Sequence, residues 1–198
     1  MKKIFLCITI MSFIALFSCE EKKTSVASDS TKTNISGTDP LSTLTAMRDS
    51  TNKAWEIMIK SDDQKIEDIA RLLQEISYCK SYNALLLDSL TEVVKTMKEK
   101  RYKQLTMLSE EIDRYDEFTN LIISRTKYLA RTTEELKSHP IAENLYNDIA
   151  KADNDVARYR SLYDRFAMEY NSYLEANKEA LGENIKDFQK LPVFSLSA

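Results

Sequence analysis

The stretch PIAENLYNDIAKADNDVARYRSLYDRFAMEYNSY, residues 140–173, decides the fold. Apolar and aromatic side chains recur there in alternating steps of four and three, the spacing of a helix face that packs on partner helices. No Gly and no second Pro interrupts the pattern, so it predicts a long helix that begins at Pro140. The face consists of Leu145, Ile149, Ala152, Val156, Tyr159, Tyr163, Phe166, Tyr170 and Tyr173.

The aromatic end of this face, which we name the tyrosine stripe, allows two interpretations. We expect core packing, in which each tyrosine buries its ring and gives its hydroxyl to a polar neighbour. The alternative is a cage for a lipid or another apolar ligand, or a contact for a partner protein. The stripe comprises Tyr159, Tyr163, Phe166, Tyr170 and Tyr173.

The preceding residues have the same helical character. Asp39 and Pro40 form an N-cap followed by a proline at the first helical position. No Gly or Pro occurs between residues 41 and 138, and the alternation typical of strands is absent. The sequence therefore predicts an all-α body over residues 39–192, an elongated antiparallel bundle of three to four long helices. The heptads also permit a homo-oligomer.

Three apolar runs precede the final helix. The first two are Trp55, Ile59, Ile66, Ile69, Leu73 and Ile76, and then Leu87, Leu90, Val94 and Met97. Lys80 and Asn83 occupy the apolar phase between them, which indicates either a turn near residues 79–84 or one helix with a polar layer. The third run predicts a helix that reaches about residue 136. It contains Leu105, Leu108, Ile112, Tyr115, Ile122, Leu129 and Leu136, with Thr119, Thr126 and Thr133 in phase.

The N-terminus predicts export and lipidation. Lys2 and Lys3 precede an apolar run over residues 4–17, which is shorter than the ~20 residues that span a bilayer, so residues 1–18 are interpreted as a signal peptide. The run ends in Leu16, Phe17, Ser18 and Cys19, which resembles the lipobox of bacterial lipoproteins and predicts acylation of Cys19. Glu20 follows in place of the aspartate that resembles an inner-membrane retention signal. A lipid-anchored protein of the cell envelope is expected, at the outer membrane, on its periplasmic or surface face, rather than the inner one.

Residues 19–38 are expected to form a disordered, lipidated tether, because residues 20–38 are rich in Ser, Thr and Lys and nearly devoid of apolar side chains. The formal net charge of −3 becomes about −5 when Lys2 and Lys3 are removed with the signal, which disfavours nucleic acid as a partner. Cys7 is removed with them, so Cys79 has no partner for an intramolecular disulfide once Cys19 is acylated. Cys79 is expected to be a small, half-buried apolar residue, with a redox or intermolecular role as the alternative.

Residues 140–171 resemble the C-terminal half of the LemA family, whose pattern there runs roughly Y-P, E-N, an aliphatic residue, Arg, Y-N and a second Y-N. Residues 54–78 are similar to the first helix of that family, and LPVF, residues 191–194, is similar to its aromatic tail. The basic pair of that first helix is reduced to Lys65, and Ala176-Asn177 replaces a Phe-Pro. The resemblance implies a long helical bundle at the cell envelope, without an established catalytic activity. The matching positions are His139-Pro140, Asp153-Asn154, Val156, Arg160, Tyr163-Asp164 and Tyr170-Asn171.

The sequence contains no arrangement that predicts catalysis, a metal site or a cofactor. His139 is the only histidine, and a turn before Pro140 is the expected place for it, although Glu135 could share a metal with it. The acidic cluster over residues 110–117 is expected to be a solvated surface. The basic run over residues 95–103 is also expected to be solvated, with contact to anionic lipid or to a partner as the alternative. Its cations are Lys95, Lys98, Lys100, Arg101 and Lys103.

These features predict a non-enzymatic envelope lipoprotein whose helical bundle scaffolds or docks another envelope protein. Two other functions are open: a ligand- or lipid-binding bundle that uses the tyrosine stripe, and a holdase-like periplasmic chaperone.

Overall fold

The structure is a computed structural model that describes residues 39–194. The predicted signal peptide, the predicted tether and the predicted lipidation site Cys19 lie outside the described residues. Within them the all-α class is confirmed, and no helix among them is long and apolar enough to cross a membrane. The helices are α1 (Pro40–Ser77), α2 (Ala84–Lys95), α3 (Ser109–Thr132), α4 (Pro140–Ala176) and the short α5 (Lys178–Leu181).

The two longest helices, α1 and α4, pack antiparallel. The Trp55 ring lies 5.4 Å from the Tyr163 ring, centroid to centroid, and Glu75 lies 3.0 Å from His139. At about 1.5 Å per residue, the 38 residues of α1 extend about 57 Å. Helix α3 runs antiparallel to α4, since its residues Asp116 and Lys127 meet Arg160 and Tyr146 of α4. Helix α2 folds back along α1.

The predicted N-cap at Asp39 is confirmed. Asp39 accepts hydrogen bonds from the backbone nitrogens of Leu41 and Ser42, and Pro40 occupies the first turn of α1. The chain turns between α1 and α2, where the side chain of Asn83 caps α2 by accepting from Leu86 N at 3.0 Å. Of the two interpretations of residues 79–84, the turn is the one that the structure has.

The third predicted helix is wrong at both ends. Helix α3 begins at Ser109 and ends at Thr132, and Leu136 lies in a separate 3₁₀ turn. Leu105 and Leu108 are 54% and 62% exposed. The reason is topological: α2 and α3 run in opposite directions along α1, so the chain must reverse between them. The buried apolar residues of the connecting segment are Met97, Tyr102 and Met107.

Two apolar clusters form the core, one toward each end of the bundle. The first cluster joins the C-terminal half of α1 to α2, to the later turns of α3 and to the beginning of α4. The second joins the N-terminal half of α1 to the loop before α3, to the later part of α4 and to the C-terminal segment, including Phe194, which lies two residues past the predicted end of the body. Full burial of one large apolar side chain contributes about 1.5–3 kcal/mol. Between the two clusters lies a layer of charged and polar side chains.

Candidate functional site

Two residues of the tyrosine stripe, Tyr163 and Tyr170, pack against the chain's own C-terminal segment, whereas Tyr159, Phe166 and Tyr173 are only partly buried beside the second cluster. Tyr163 and Tyr170 are 0% and 1% exposed. Their hydroxyls donate to the backbone carbonyl oxygens of Pro192 and Gln189, at 3.0 and 3.1 Å. Burial raises the pKa of Tyr163 to about 12, which means that the hydroxyl keeps its proton and its donor role at any physiological pH.

Two further side chains of α4 hold the same segment, residues 188–194, which we name the tail. The amide of Asn171 donates to Leu191 O and accepts from Leu191 N, each at 2.8 Å. The carboxylate of Asp164 accepts from Phe194 N, also at 2.8 Å. These bonds are made to backbone atoms, so they fix the path of the tail.

Phe194 completes an aromatic cluster at the end of the tail. Its ring stacks on Trp55 at 6.2 Å between centroids, and it lies edge-on to Tyr102 and Tyr163 at 5.6 and 5.7 Å. Each offset or edge-on aromatic pair of this kind stabilises the fold by about 0.5–1.5 kcal/mol, in addition to the contribution from its buried apolar area. The space beside the inner part of the stripe is therefore filled by the chain itself, as the core interpretation requires.

The polar layer contains a four-residue group around Asp62. Arg101 donates to Asp62 from Nε at 2.7 Å and Tyr115 donates from its hydroxyl at 2.6 Å, while Lys65 lies 3.2 Å away. Arg101 also reaches Asp63 at 2.6 Å. Burial alone would lower the pKa of Arg101, but the charge of Asp62 and the bond to Asp63 outweigh it and raise that pKa.

A second ion pair joins α3 to α4 in the same layer. Arg160 is 8% exposed, and its two terminal nitrogens each donate to one oxygen of Asp116 at 2.7 Å. One of those nitrogens also donates to the Tyr102 hydroxyl at 3.0 Å. The acidic cluster over residues 110–117 is therefore not wholly a solvated surface, because Asp116 is committed to an interior cation.

Two cavities adjoin this layer, and they share Arg101, Tyr102 and Tyr115 as a common wall. The inner cavity, of about 370 Å³, lies between α1, α3 and α4. Its cations Lys65, Arg101 and Arg160 are matched by nearby carboxylates. The outer cleft, of about 540 Å³, lies between the loop over residues 100–106 and the first half of α3.

The basic run is divided by the structure between interior and surface. Arg101 is in the polar layer and so does not belong to an external contact surface. Lys98 lies 3.2 Å from Glu67, and Lys95 lies 2.6 Å from Glu92, both as exposed ion pairs. Lys100 and Lys103 are exposed and line the outer cleft. A role in contacting lipid or a partner stays a prediction for the exposed lysines.

The turn between α1 and α2 brings Cys79 to His139. The thiol sulfur lies 3.8 Å from His139 Nε2, and His139 Nδ1 lies 3.0 Å from Glu75. This order of groups resembles that of a cysteine nucleophile with its base. However, burial and the nearby charges of Glu135 and Glu75 raise the pKa of the thiol, and Cys79 is 5% exposed. The thiol is therefore protonated and shielded, and we assign it no catalytic role.

His139 occupies the predicted turn and is the N-cap residue of α4. Glu135 does not pair with its ring but accepts from Lys80 N at 2.6 Å. Within residues 39–194 no group of three or more His, Cys, Asp or Glu side chains is arranged to hold a metal ion.

The outward face of α3 carries exposed apolar and basic side chains. Leu121 and Tyr128 are 52% and 51% exposed, and they lie seven residues apart on the same face. Arg125 lies between them and is also exposed. The heptad spacing predicts that the opposite face of α3 lies in the core, and Ile122, Thr119 and Thr126 are buried there.

Sequence reasoning missed the polar layer as a unit. Lys65 and Arg160 belong to the resemblance to the LemA family and Asp116 to the acidic cluster over residues 110–117, but their spacing along the chain gives no sign that they meet. The available signal was Arg160, which directly follows Tyr159 of the predicted apolar face. Comparisons of the chain with protein-family models, with curated proteins and with solved structures gave no match.

Proposed function

We propose that the protein is a lipid-anchored, non-enzymatic docking module of the bacterial cell envelope, with a body that is a divergent member of the LemA family. The lipobox at residues 16–19 supports the anchor. The polar stretch that follows supports a tether, which would hold the body off the membrane by about 5–6 Å times the square root of its length.

The exposed face of α3 is the observation that carries the docking role. Tyrosine, arginine and large aliphatic residues are typical of the energetically important part of a protein interface, and Leu121, Arg125 and Tyr128 present all three on one face. No Asp or Glu occurs between residues 119 and 133, whereas Arg125, Lys127 and Arg131 do. The partner that fits is a protein with an acidic rim around an apolar patch.

The positions that resemble the LemA pattern support a packing role for that pattern. Arg160 binds Asp116, and Tyr163, Asp164, Tyr170 and Asn171 hold the tail. Residues that make such internal contacts stabilise the helical bundle, and a docking module needs a stable bundle to present its binding face. A ligand cage in the tyrosine stripe is less well supported, since the tail occupies its inner side.

Photo-crosslinking in cells tests the docking face. A photoreactive residue at Tyr128 is expected to capture one envelope protein, and Arg125→Glu is expected to reduce that product. The matched control is a photoreactive residue at Ser172, which is exposed on α4. Cys19→Ser should lose the lipid and with it the product. Equal capture from Ser172 and Tyr128, or none from Tyr128, would overturn the proposal.

A further inference from the structure

We propose that the outer cleft, between the loop over residues 100–106 and the first half of α3, is a binding site for a small phosphate-bearing ligand. This site goes beyond the docking function, because it lies on a different part of α3 from Leu121 and Tyr128. Its volume of about 540 Å³ falls in the range of about 300–1,000 Å³ that is usual for small-molecule sites.

The charge of the cleft selects an anion. Lys100, Lys103 and Arg114 line it together with one carboxylate, Glu111. Three cations and one anion leave a net charge of about +2, which matches the charge of about −1.5 to −2 on a phosphate monoester at neutral pH. Arg101 also lines the cleft, but Asp62 and Asp63 already match its charge.

The residue types suit phosphate in particular. An arginine offers a planar pair of N–H donors that matches two phosphate oxygens, and lysines add point charges that turn toward a third. Lys100 and Lys103 come from the loop and Arg114 comes from α3. A phosphate bound between them would be contacted from both sides of the cleft.

The rest of the lining suits an organic group attached to the phosphate. Phe118 also lines the cleft, with Lys100 Nζ 5.5 Å from its ring centroid. Tyr102 and Tyr115 form the back wall, where the Tyr115 hydroxyl is fixed by its bond to Asp62 at 2.6 Å. These rings offer apolar faces next to the cations, so a phosphate ester with a ring or a short apolar group fits better than inorganic phosphate.

Calorimetric titration of the full chain, held in phosphatidylcholine nanodiscs, tests the site with phenyl phosphate as the probe. We expect saturable binding that is tighter than that of inorganic phosphate and that weakens as salt is added. Lys103→Gln and Arg114→Gln are each expected to weaken it about tenfold, by loss of one charged hydrogen bond. Lys95→Gln is the matched control, because Lys95 is an exposed lysine of the same basic run that does not line the cleft.

The proposal is overturned if the unaltered protein shows no saturable binding up to about 10 mM phenyl phosphate, the weak limit of useful small-ligand affinities. It is also overturned if Lys95→Gln weakens binding as much as Arg114→Gln. The general positive potential of this surface, and not contacts within the cleft, would then explain the binding. Circular dichroism of each variant checks that the exposed substitutions leave the helices intact.

The ligand phosphate could come from a soluble ester or from a lipid headgroup, and a second arm separates these sources. The titration is repeated in nanodiscs that also contain phosphatidic acid. Weaker apparent binding of phenyl phosphate there assigns the cleft to the headgroup, since the lipid competes for it. Unchanged binding assigns it to a soluble ester. Both results support recognition of phosphate by Lys103 and Arg114.

Discussion

The side-chain amide of Asn171 binds both backbone polar atoms of Leu191, at 2.8 Å each, twenty residues further along the chain. Asn171→Ala would leave a buried N–H and C=O without partners, and we expect it to lower the free energy of unfolding by about 1–3 kcal/mol. Urea denaturation measures this loss. Ser172→Ala, at the exposed neighbouring position, is expected to change stability by less than about 0.5 kcal/mol. Similar losses in the two variants would contradict the role of Asn171.

The tyrosine stripe predicts a difference between two substitutions at one position. Tyr163→Phe keeps the buried ring and removes the hydroxyl that binds Pro192, so it should cost about 0.5–1.5 kcal/mol. Tyr163→Ala removes the ring from the core and should cost about 3–5 kcal/mol. Thermal or urea unfolding of both variants checks the order. Tyr128→Phe, on the outward face of α3, serves as the control and should be close to neutral.

The buried tyrosines predict a loss of stability at alkaline pH. Burial raises the pKa of Tyr163 from 10.0 to about 12 and raises the pKa values of Tyr115 and Tyr102 in the same direction. At a pH between the tyrosine pKa of the unfolded state and that of the folded state, the folded protein holds protons that the unfolded chain has released. The free energy of unfolding therefore falls as pH rises. The contribution of Tyr163 is complete below about pH 10 and is lost as pH rises through about 12.

Urea midpoints measured from pH 9 to pH 12 test this dependence. Tyr163→Phe lacks one of the titrating groups and should show a shallower decline across that interval. An unchanged slope in Tyr163→Phe would show that Tyr163 does not carry a raised pKa.

The contacts in the polar layer predict that the stability of the protein depends strongly on the carboxylate of Asp62. Asp62→Ala would remove the shared buried partner of Arg101 and Lys65 and leave them the more exposed Asp63 and Asp153. Removing one partner of a buried ion pair typically costs up to about 3–5 kcal/mol. Asp63→Ala is the control, since Asp63 is 33% exposed and should cost about 1 kcal/mol or less. Adding Arg101→Met to Asp62→Ala should recover part of the loss. A double-mutant cycle in urea measures that coupling, and additive losses would contradict it.

Features with a local signal were predictable from the sequence. The cap at Asp39 and the face of α4 depend on residues within a few positions of one another. The cap is confirmed, and of the predicted face Leu145, Ile149, Tyr163 and Tyr170 are buried while the other five residues are only partly buried. Leu105 and Leu108 continue the heptad spacing but lie where the chain reverses direction. The spacing of apolar residues does not show where a chain reverses. The helix prediction therefore ran through residues that form a loop.

The candidate sites depend on contacts between distant parts of the chain. Arg160 meets Asp116 across 44 residues, and Cys79 meets His139 across 60. Residue type and spacing describe each of these side chains but do not show that they are neighbours. The same holds for Arg114, which faces the basic loop across the outer cleft.

The position of the tail has a consequence for the order in which the protein folds. Synthesis runs from the N-terminus, so residues 188–194 are made after both of the helices that bind them. Until they emerge, Tyr163 and Tyr170 lack their acceptors and Trp55 lacks the ring of Phe194. A chain stopped before the tail would carry an open aromatic furrow along α1 and α4. The second apolar cluster is therefore completed only when Leu191 and Phe194 are in place.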